Sequence, residues 1–489
     1  MYLPEWVQKF KEPRTEIKKI AGGFYKYEVE YRYSAELKRT QKITKRLLGK
    51  ITEDEGFVKS DKHGLREELA KLHNVDIKMF GVYKMFTSLL ADEINGISAI
   101  FDDETSQKLL SIAMLRFAFQ SPIKRMQNYH SHDFCSEFWA VSGLTDKQVT
   151  ATLKLVGENR QKLVAWMKSR LVSSGEEKSD LVMIDSTHIQ TLSENLHVNA
   201  KGYNPNHDYD PQVRLMYIFS AQLKQPVYYR LINGNITDIS SMKQCVSELD
   251  AENVIFIADK GFYSDENTKT LDSNNLQYII PLHRNNSLID FAPLQTGDFK
   301  RSMQHFIYQD RAIWFYQYES KGKKIITFLD NRLRTEEEND YLLRVKSHPE
   351  EYTIEKFRNK LDVFGTLTIT YKTNKTLTAR EIYESYKQRN EIEILFDSYK
   401  NFIEADRMYM QDRYVLEGWL MANFIAMIAY YRLYTALKSI EKLSNYSPKD
   451  IIELSKSIHK TRVRGEWKTS EITKKNIDLF KKLGIDYLK

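Results

Sequence analysis

Two aspartates follow runs of apolar residues that are typical of buried β-strands. The segment DLVMID (180–185) ends at Asp185, and ENVIFIAD (252–259) ends at Asp259. In an open α/β sheet, ligands bind in the crevice at the carboxyl ends of the strands, so carboxylates there are within reach of water and of a cation. Two such carboxylates, joined by a third from a helix, would form an oxygen site suited to Mg²⁺, and paired ions support phosphodiester cleavage. The alternative is that each aspartate only begins a loop or caps a helix.

A source for the third carboxylate is the segment YKQRNEIEILFDSYK (386–400). We predict a helix over 379–400, which begins at the capping box TARE (378–381). At about 100° per residue, one narrow stripe of this helix carries four polar residues: Tyr386, Arg389, Glu393 and Lys400. Glu391 points away from the stripe, whereas Asp397 lies close to it and stays a candidate. The stripe is equally compatible with an ordinary solvated face that an Arg389–Glu393 ion pair stabilises.

The elements around the two aspartates predict a mixed sheet with helices on its faces. Besides the two aspartate-ended strands, the expected elements are a hairpin of 213–221 with 226–233, a helix capped by Thr237 or Asp238, a helix from about Ser264 and a strand over 276–282. A polar loop is expected between Asp185 and the hairpin. A β-rich stretch, about 285–372, interrupts this α/β pattern before the helix over 379–400.

Composition places the chain among folded globular proteins. It has 489 residues, 42% of them hydrophobic, and a formal net charge of +7. Its two cysteines are too few for a disulfide framework and fit a reducing cytoplasm. The N-terminus lacks a signal-peptide pattern, and the longest apolar stretch, 419–431, is shorter than the roughly 20 residues that span a bilayer. We therefore expect a cytoplasmic protein with no membrane partner and a buried helix over 419–431.

Two segments are locally basic. Residues 37–50 carry six lysines and arginines with no acid among them, and residues 456–475 carry seven against two acids. The first segment is either a solvated hairpin face or an arm that follows DNA phosphates, and the sequence favours neither.

The spacing Tyr386-x2-Arg389-x3-Glu393-x6-Lys400 resembles the Tyr-Arg-Glu-Lys signature of the DDE transposases of bacterial insertion sequences. Upstream, IDST (184–187), NGNITD (233–238) and IADKGFYS (257–264) resemble further elements of that family, in the family's order. The resemblance covers about 180–430. It implies a ribonuclease-H-like α/β core in which Asp185, Asp259 and Glu393 ligate two Mg²⁺ ions, or Mn²⁺ in their place.

The resemblance also implies roles on DNA. Tyr386, Arg389 and Lys400 would hold DNA phosphate near the cleaved end. Lys260 is a further phosphate contact or only a solvated loop residue. Trp314 would stack on a flipped base in relatives that cut through a DNA hairpin, or is simply a packed hairpin aromatic.

The implied function is a cut-and-paste transposase that binds the terminal inverted repeats of its own element. Its partners would be double-stranded DNA, as repeats and as target, and a second copy in a synaptic homodimer, associated with the nucleoid when bound. The alternatives are a structure-specific nuclease on the same fold and a non-catalytic, transposase-derived repressor.

The regions expected on this basis divide the chain into six parts. They are a basic β-hairpin region (1–75), a helical DNA-binding region (76–178), the first part of the ribonuclease-H-like core (179–284), a β-rich insertion (285–372), the second part of the core with the catalytic helix (373–435), and a helical, basic C-terminal region for dimerisation or DNA contact (436–489).

Overall fold

The structure is a computed structural model that describes most of the chain. The described residues are 3–34, 39–60, 75–139, 141, 143–172, 181–193, 196, 199–201, 211–233, 244–245, 248–249, 254–295, 299–405, 407–463 and 465–487. They divide into two compact units, the first formed by Met1–Met79 with Ile458–Glu471 and the second by Phe80–Ser457 with Ile472–Lys489. The predicted cap at Thr237 or Asp238 and most of the helix after it lie outside the described residues.

Strands and helices are numbered separately along the chain. The strands are β1 Thr15–Ile20, β2 Gly23–Ser34, β3 Arg39–Thr52, β4 Gly56–Lys59, β5 Asp76–Met79, β6 Leu181–Thr191, β7 Ala200–Lys201, β8 Pro211–Ser220, β9 Gln225–Asn233, β10 Ile255–Ile257, β11 Gln277–Pro281, β12 Gln304–Tyr308, β13 Arg311–Ser320, β14 Lys323–Asp330, β15 Thr366–Lys372, β16 Arg407–Met408, β17 His459–Val463 and β18 Glu466–Thr469. The helices are α1 Glu5–Gln8, α2 Gly81–Leu89, α3 Ala91–Ile100, α4 Asp103–Phe119, α5 Met126–His132, α6 Cys135–Phe138, α7 Asp146–Glu158, α8 Arg160–Val172, α9 Asp265–Ser273, α10 Ala292–Gln295, α11 Phe299–Ser302, α12 Asn331–Ser347, α13 Ile354–Arg358, α14 Ala379–Lys387, α15 Asn390–Asp397, α16 Arg413–Ser439, α17 Pro448–Lys456 and α18 Lys474–Lys482. Short 3₁₀ turns cover Ile123–Arg125 and Lys260–Phe262, and a π-helical turn covers Ser398–Phe402.

The first unit contains two small antiparallel sheets. One has the order β1-β2-β3-β4 and packs on a core of Val7, Phe24 and Ile51, and the other has the order β18-β17-β5. The β17–β18 hairpin lies in the C-terminal region that we expected to be helical. Its alternating residues and the turn glycine Gly465, at φ +87°, favour a hairpin over a helix there.

Residues 39–50 of the basic segment form most of β3, paired antiparallel to β2. Three of its cations pair with glutamates of β1 and β2: Lys42 with Glu16 at 2.9 Å, Lys45 with Glu30 at 2.8 Å and Arg46 with Glu28 at 2.7 Å. Glutamates therefore balance these three charges across the sheet, and the choice between a solvated hairpin face and a phosphate-following arm stays open.

The second unit is built on a mixed sheet. Its central order is β9-β8-β6-β10-β11, in which β6, β10 and β11 are parallel and β8 runs against its neighbours β6 and β9. The predicted hairpin is β8–β9, and the strand over 276–282 is β11. The ribonuclease-H-like mixed sheet flanked by helices, predicted from the sequence, is therefore confirmed.

Strand β6 is longer than predicted. It continues past Asp185 to Thr191 and pairs with β8 as far as Gln190, so the expected loop begins six residues later. The prediction failed because STHIQT looks polar, whereas Thr187, Ile189 and Thr191 alternate with their neighbours and are buried.

The β-rich insertion extends the main sheet. Strands β12, β13 and β14 form an antiparallel meander, and β14 pairs with β15, which pairs with β11. The Lys321–Gly322 turn joins β13 to β14. Helix α12 lies between β14 and β15, a helix that we had not predicted.

Helix α16 is the central core helix of the unit. Its Phe424 and Tyr431 pack on Tyr217 and Phe219 of β8, with ring centroids 6.0 and 5.1 Å apart. Of the described helices it alone is long and apolar enough to cross a membrane, with 27 residues and a mean hydropathy of 1.2, but 72% of the apolar window is buried in the unit. The buried helix predicted over 419–431 is thus confirmed.

Two glycines allow α16 to lie very close to α7. A Cβ atom on Gly418 would stand 2.0 Å from the carbonyl oxygen of Leu153, and one on Gly157 would stand 2.0 Å from that of Tyr414. The two backbones therefore approach within a distance that excludes any side chain at these positions.

Candidate functional site

Asp185 and Asp259 stand side by side on neighbouring parallel strands. Ile257 of β10 pairs with Met183 of β6, so two residues further along each chain Asp259 is level with Asp185. The side chain of Asp185 is 21% exposed and that of Asp259 is 35% exposed. The sheet therefore brings both predicted carboxylates to one place, where solvent reaches them.

Each aspartate is oriented by the backbone that follows it. The N–H of Ser186 donates to Oδ1 of Asp185 at 2.8 Å, and the N–H of Lys260 donates to Oδ1 of Asp259 at 2.6 Å. In both residues the backbone N–H of the next residue thus fixes Oδ1. The other oxygen of Asp185, Oδ2, is its atom nearest to Arg389.

The predicted helix over 379–400 is divided at the site. Helix α14 begins at the capping box of Thr378 and Glu381 and ends at Lys387, α15 follows at Asn390, and the π-helical turn completes the segment. The join is tight because the N–H of Arg389 bonds the carbonyl of Tyr386, three residues back instead of four. Arg389 therefore lies at a tightened junction between the two helices, which a regular helical pattern does not show.

Helix α15 is held in place from the core side. Its Ile392 and Leu395 are fully buried, and the Tyr431 hydroxyl donates to the carbonyl oxygen of Glu391 at 2.7 Å. The Glu391 carboxylate pairs with Lys438 at 2.9 Å, on the side away from Asp185 that its helical angle predicts. Glu393 is left on the solvent side, with its side chain 55% exposed.

The Arg389 guanidinium lies among the three predicted carboxylates. It is 3.0 Å from Glu393, 3.6 Å from Asp185 and 3.8 Å from Asp259, measured between the nearest nitrogen and oxygen atoms. The Arg389 side chain is only 15% exposed, and its Nε is buried without a hydrogen-bond partner among the described atoms. The Arg389–Glu393 pair left open by the sequence is present, as part of a larger cluster.

The charges around Arg389 keep it protonated. Burial by itself lowers the pKa of the Arg389 guanidinium, but the carboxylates of Asp259 and Asp185 outweigh burial and raise that pKa above its usual value. Burial has the opposite effect on an acid, and it raises the pKa of the Tyr386 phenol, although the nearby Arg389 charge lowers that pKa. The centre is therefore one cation with three acidic neighbours and a neutral phenol beside it.

The other predicted DNA contacts are Lys260, Lys400 and Trp314. Lys260 is exposed immediately after Asp259, and Lys400 is half-buried on the π-helical turn. Trp314 lies on β13, 4.9 Å from the ring of His305 and against the cluster of Leu294, Met303 and Leu329. Its surroundings are those of a packed hairpin aromatic.

Asp397 was the other candidate for the third carboxylate. It is exposed and accepts a hydrogen bond from Nδ2 of Asn401 at 2.6 Å. Of the two helix acids, Glu393 is the one paired with Arg389.

The three carboxylates are the kind of ligand that binds a hard divalent cation, but in this arrangement they lie too far apart to hold one. Carboxylate oxygens are the ligands that Mg²⁺ prefers, and all three side chains are partly open to solvent. Within the described part of the chain, however, no group of three or more His, Cys, Asp or Glu side chains is close enough to hold a metal ion. The reason is local, since the Arg389 guanidinium occupies the space between the three carboxylates. The sequence did not predict this position for Arg389.

A protein family described as "Transposase DDE domain" matches residues 176–429, just over half of the 489 residues, and the match contains all three carboxylates. The chain belongs to this transposase family. No curated protein sequence matches it.

Several solved transposase structures are similar to the chain at low identity. A piggyBac transposase synaptic complex with hairpin DNA is 10% identical, with a TM-score of 0.37, and the match covers 77% of this chain and 79% of the other. A Mos1 transposase paired-end complex with the left transposon end is 14% identical, with a TM-score of 0.15, over 42% of this chain and 64% of the other. At these scores the strand order described above, and not the likeness, carries the assignment of the fold.

Proposed function

We propose that this chain is an active DNA transposase of a bacterial insertion sequence, of the branch with the Tyr-Arg-Glu-Lys signature. One observation carries the proposal: within a transposase DDE domain, carboxylates from two adjacent strands and one helix converge on a single guanidinium. The proposed substrates are the terminal inverted repeats of its own element and a target duplex, in the cytoplasm and on the nucleoid. Two copies would hold the two ends together.

In this proposal Asp185, Asp259 and Glu393 hold two Mg²⁺ ions, or Mn²⁺ in their place. The bound ions supply activation of water, and later of a 3′-hydroxyl, together with stabilisation of the departing oxygen. The backbone N–H groups of Ser186 and Lys260 aim the two aspartates, and α15 aims Glu393. Arg389 would have to move out of the space between the carboxylates for cations to be held there.

Four side chains around the carboxylates would bind the DNA backbone. Arg389 is the nearest cation, and a guanidinium suits a phosphate because it donates two parallel hydrogen bonds. Tyr386 keeps its proton at neutral pH and so remains a hydrogen-bond donor. Lys260 and Lys400 would extend the contact on either side. Trp314 is only partly buried against Leu294, Met303 and Leu329, and its stacking on a flipped base stays a prediction beside the alternative of a packed hairpin aromatic.

The decisive experiment is cleavage of a duplex that carries the inverted repeat flanking the gene. With Mg²⁺ the purified protein should cut at the repeat end and join that end to a second duplex. Asp185→Asn, Asp259→Asn and Glu393→Gln should each abolish cutting while DNA affinity stays within about threefold, because only the charge of a carboxylate changes.

Asp397→Asn is the matched control, since it lies one turn from Glu393 on the same helix. It should keep cutting activity. A dead Asp397→Asn with an active Glu393→Gln would overturn the choice of the third carboxylate. Cutting without joining would identify a nuclease, and binding without cutting would identify a repressor.

A further inference from the structure

A polar cavity of about 520 Å³ lies close to Asp259 along the chain. Three segments line it: Tyr263–Asp265 before α9, residues 283 and 285–288 after β11, and Lys321 at the turn between β13 and β14. The 3₁₀ turn Lys260–Phe262 connects Asp259 directly to the first of these segments. None of the lining residues belongs to the carboxylate site.

The walls of the cavity are fixed by packing and hydrogen bonds. Phe262 is buried, and its carbonyl accepts a hydrogen bond from Nδ2 of Asn267 at 2.9 Å. Ser264 caps α9 by accepting from the N–H of Asn267 at 3.1 Å. Beneath the opening, Leu282, Leu288 and Ile325 form a small apolar cluster against which Tyr263 packs. The cavity therefore has a preformed shape.

Two lysines of the insertion hairpin reach this cavity. Lys321 is exposed, with Nζ 3.5 Å from Oγ of Ser287, and Lys323 lies over the Tyr263 ring, 5.2 Å from its centroid. The one acidic lining residue is Asp265, and it accepts a hydrogen bond from the Tyr263 hydroxyl at 3.1 Å. The remaining lining is mostly amide and hydroxyl groups, so the cavity presents hydrogen-bond donors around Lys321, the one lysine of its lining, whose charge Asp265 balances.

We propose that this cavity binds the sugar–phosphate backbone of a DNA strand that continues past the carboxylate site. Lysine, asparagine, serine and tyrosine side chains are the groups that contact phosphate and sugar in DNA complexes. Pockets for small organic ligands are mainly apolar, unlike this one. The inference rests on the proposed function for its substrate, which is DNA. It adds a contact on the insertion hairpin that positions the strand.

The test is the salt dependence of DNA binding, measured by fluorescence anisotropy without divalent cations between about 50 and 200 mM salt. Each phosphate contact contributes about −0.9 to the slope of log K against log salt. Lys321→Gln should therefore make the slope shallower by about 0.9 and weaken binding severalfold, to the same degree for unrelated duplex sequences.

The matched control is Lys324→Gln. Lys324 is exposed on the same hairpin, but it alternates with Lys323 and Ile325 and so lies on the opposite face of β14. It should leave slope and affinity unchanged. A second variant, Asn285→Asp, places a negative charge at the cavity without a change of size and should also weaken binding severalfold.

If Lys321→Gln and Asn285→Asp bind DNA with the same affinity and salt dependence as Lys324→Gln, the cavity does not hold the DNA backbone, even if the unmodified protein binds and cuts DNA. The proposed function fails separately, through loss of binding or cutting by the unmodified protein itself. Both variants change exposed side chains, so their thermal unfolding midpoints should match that of the parent.

Discussion

Replacement of Arg389 by glutamine would test the arrangement at the candidate site most directly. The change removes the cation that separates Asp185, Asp259 and Glu393, at 3.6, 3.8 and 3.0 Å. A unit-charge pair about 4 Å apart is worth about 4 kcal/mol at an effective dielectric constant of 20. The net loss is smaller, because the carboxylates are 21 to 55% exposed and the guanidinium also loses hydration on folding. We expect Arg389→Gln to lower the free energy of unfolding by about 2 kcal/mol.

The assay is urea unfolding in the absence and presence of Mg²⁺. Without Mg²⁺ the variant should show the full loss, because three carboxylates then repel each other with no cation between them. Mg²⁺ should stabilise the variant more than the parent, since in the parent the cation must first displace Arg389. This readout does not depend on catalytic activity.

Arg380→Gln provides the matched control. Arg380 lies one helix earlier in the same segment and pairs with Glu384, at 2.8 Å, with its side chain 57% exposed. An exposed pair of this kind contributes about 0.5 kcal/mol or less, so this variant should be almost neutral and should respond to Mg²⁺ like the parent. Equal stability and equal Mg²⁺ response of the two variants would refute the view that Arg389 acts as the counter-ion of the carboxylates.

Two further predictions concern α16, which supports α15. Asp412 caps α16 by accepting from the N–H groups of Tyr414 and Val415, and the bond from Val415 lowers the pKa of the Asp412 carboxyl. Asp412→Ala should therefore cost about 1 kcal/mol at pH 7. The difference from the parent should be full above the unfolded pKa of about 3.9 and should be lost as the pH falls through the lowered folded pKa of Asp412, as measured by unfolding titrations. Gly418→Ala should lower the unfolding free energy by about 3 kcal/mol, because its Cβ would stand 2.0 Å from the Leu153 carbonyl oxygen. The control is Gly261→Ala, whose Cβ would have nothing within 4 Å and which should stay within about 1 kcal/mol of the parent. Equal thermal midpoints of the two variants would contradict the close approach of α7 and α16.

Sequence patterns predicted the parts of the core whose causes are local. The apolar runs before Asp185 and Asp259, the β8–β9 hairpin and the capping box at Thr378 each depend on residues close together in the chain, so periodicity and cap chemistry were sufficient to predict them. The signature around Glu393 predicted membership of the transposase family, which the match over 176–429 supports. The signature carried no information on the position of the Arg389 guanidinium relative to the carboxylates.

Only the tertiary structure decided how these parts meet. The register that sets Asp259 beside Asp185 depends on pairing across 74 residues, for which a single sequence carries no periodic signal. Arg389 lies among three carboxylates because the segment from α14 to α15 packs beside two distant strands, which supply two of those carboxylates. The cavity at Lys321 has the same origin, since its three walls are separated by many residues and meet only when the insertion extends the sheet. The sequence by itself thus determined the elements and the chemistry available to them, whereas long-range packing, in which each contact depends on all the others, determined the geometry of the site.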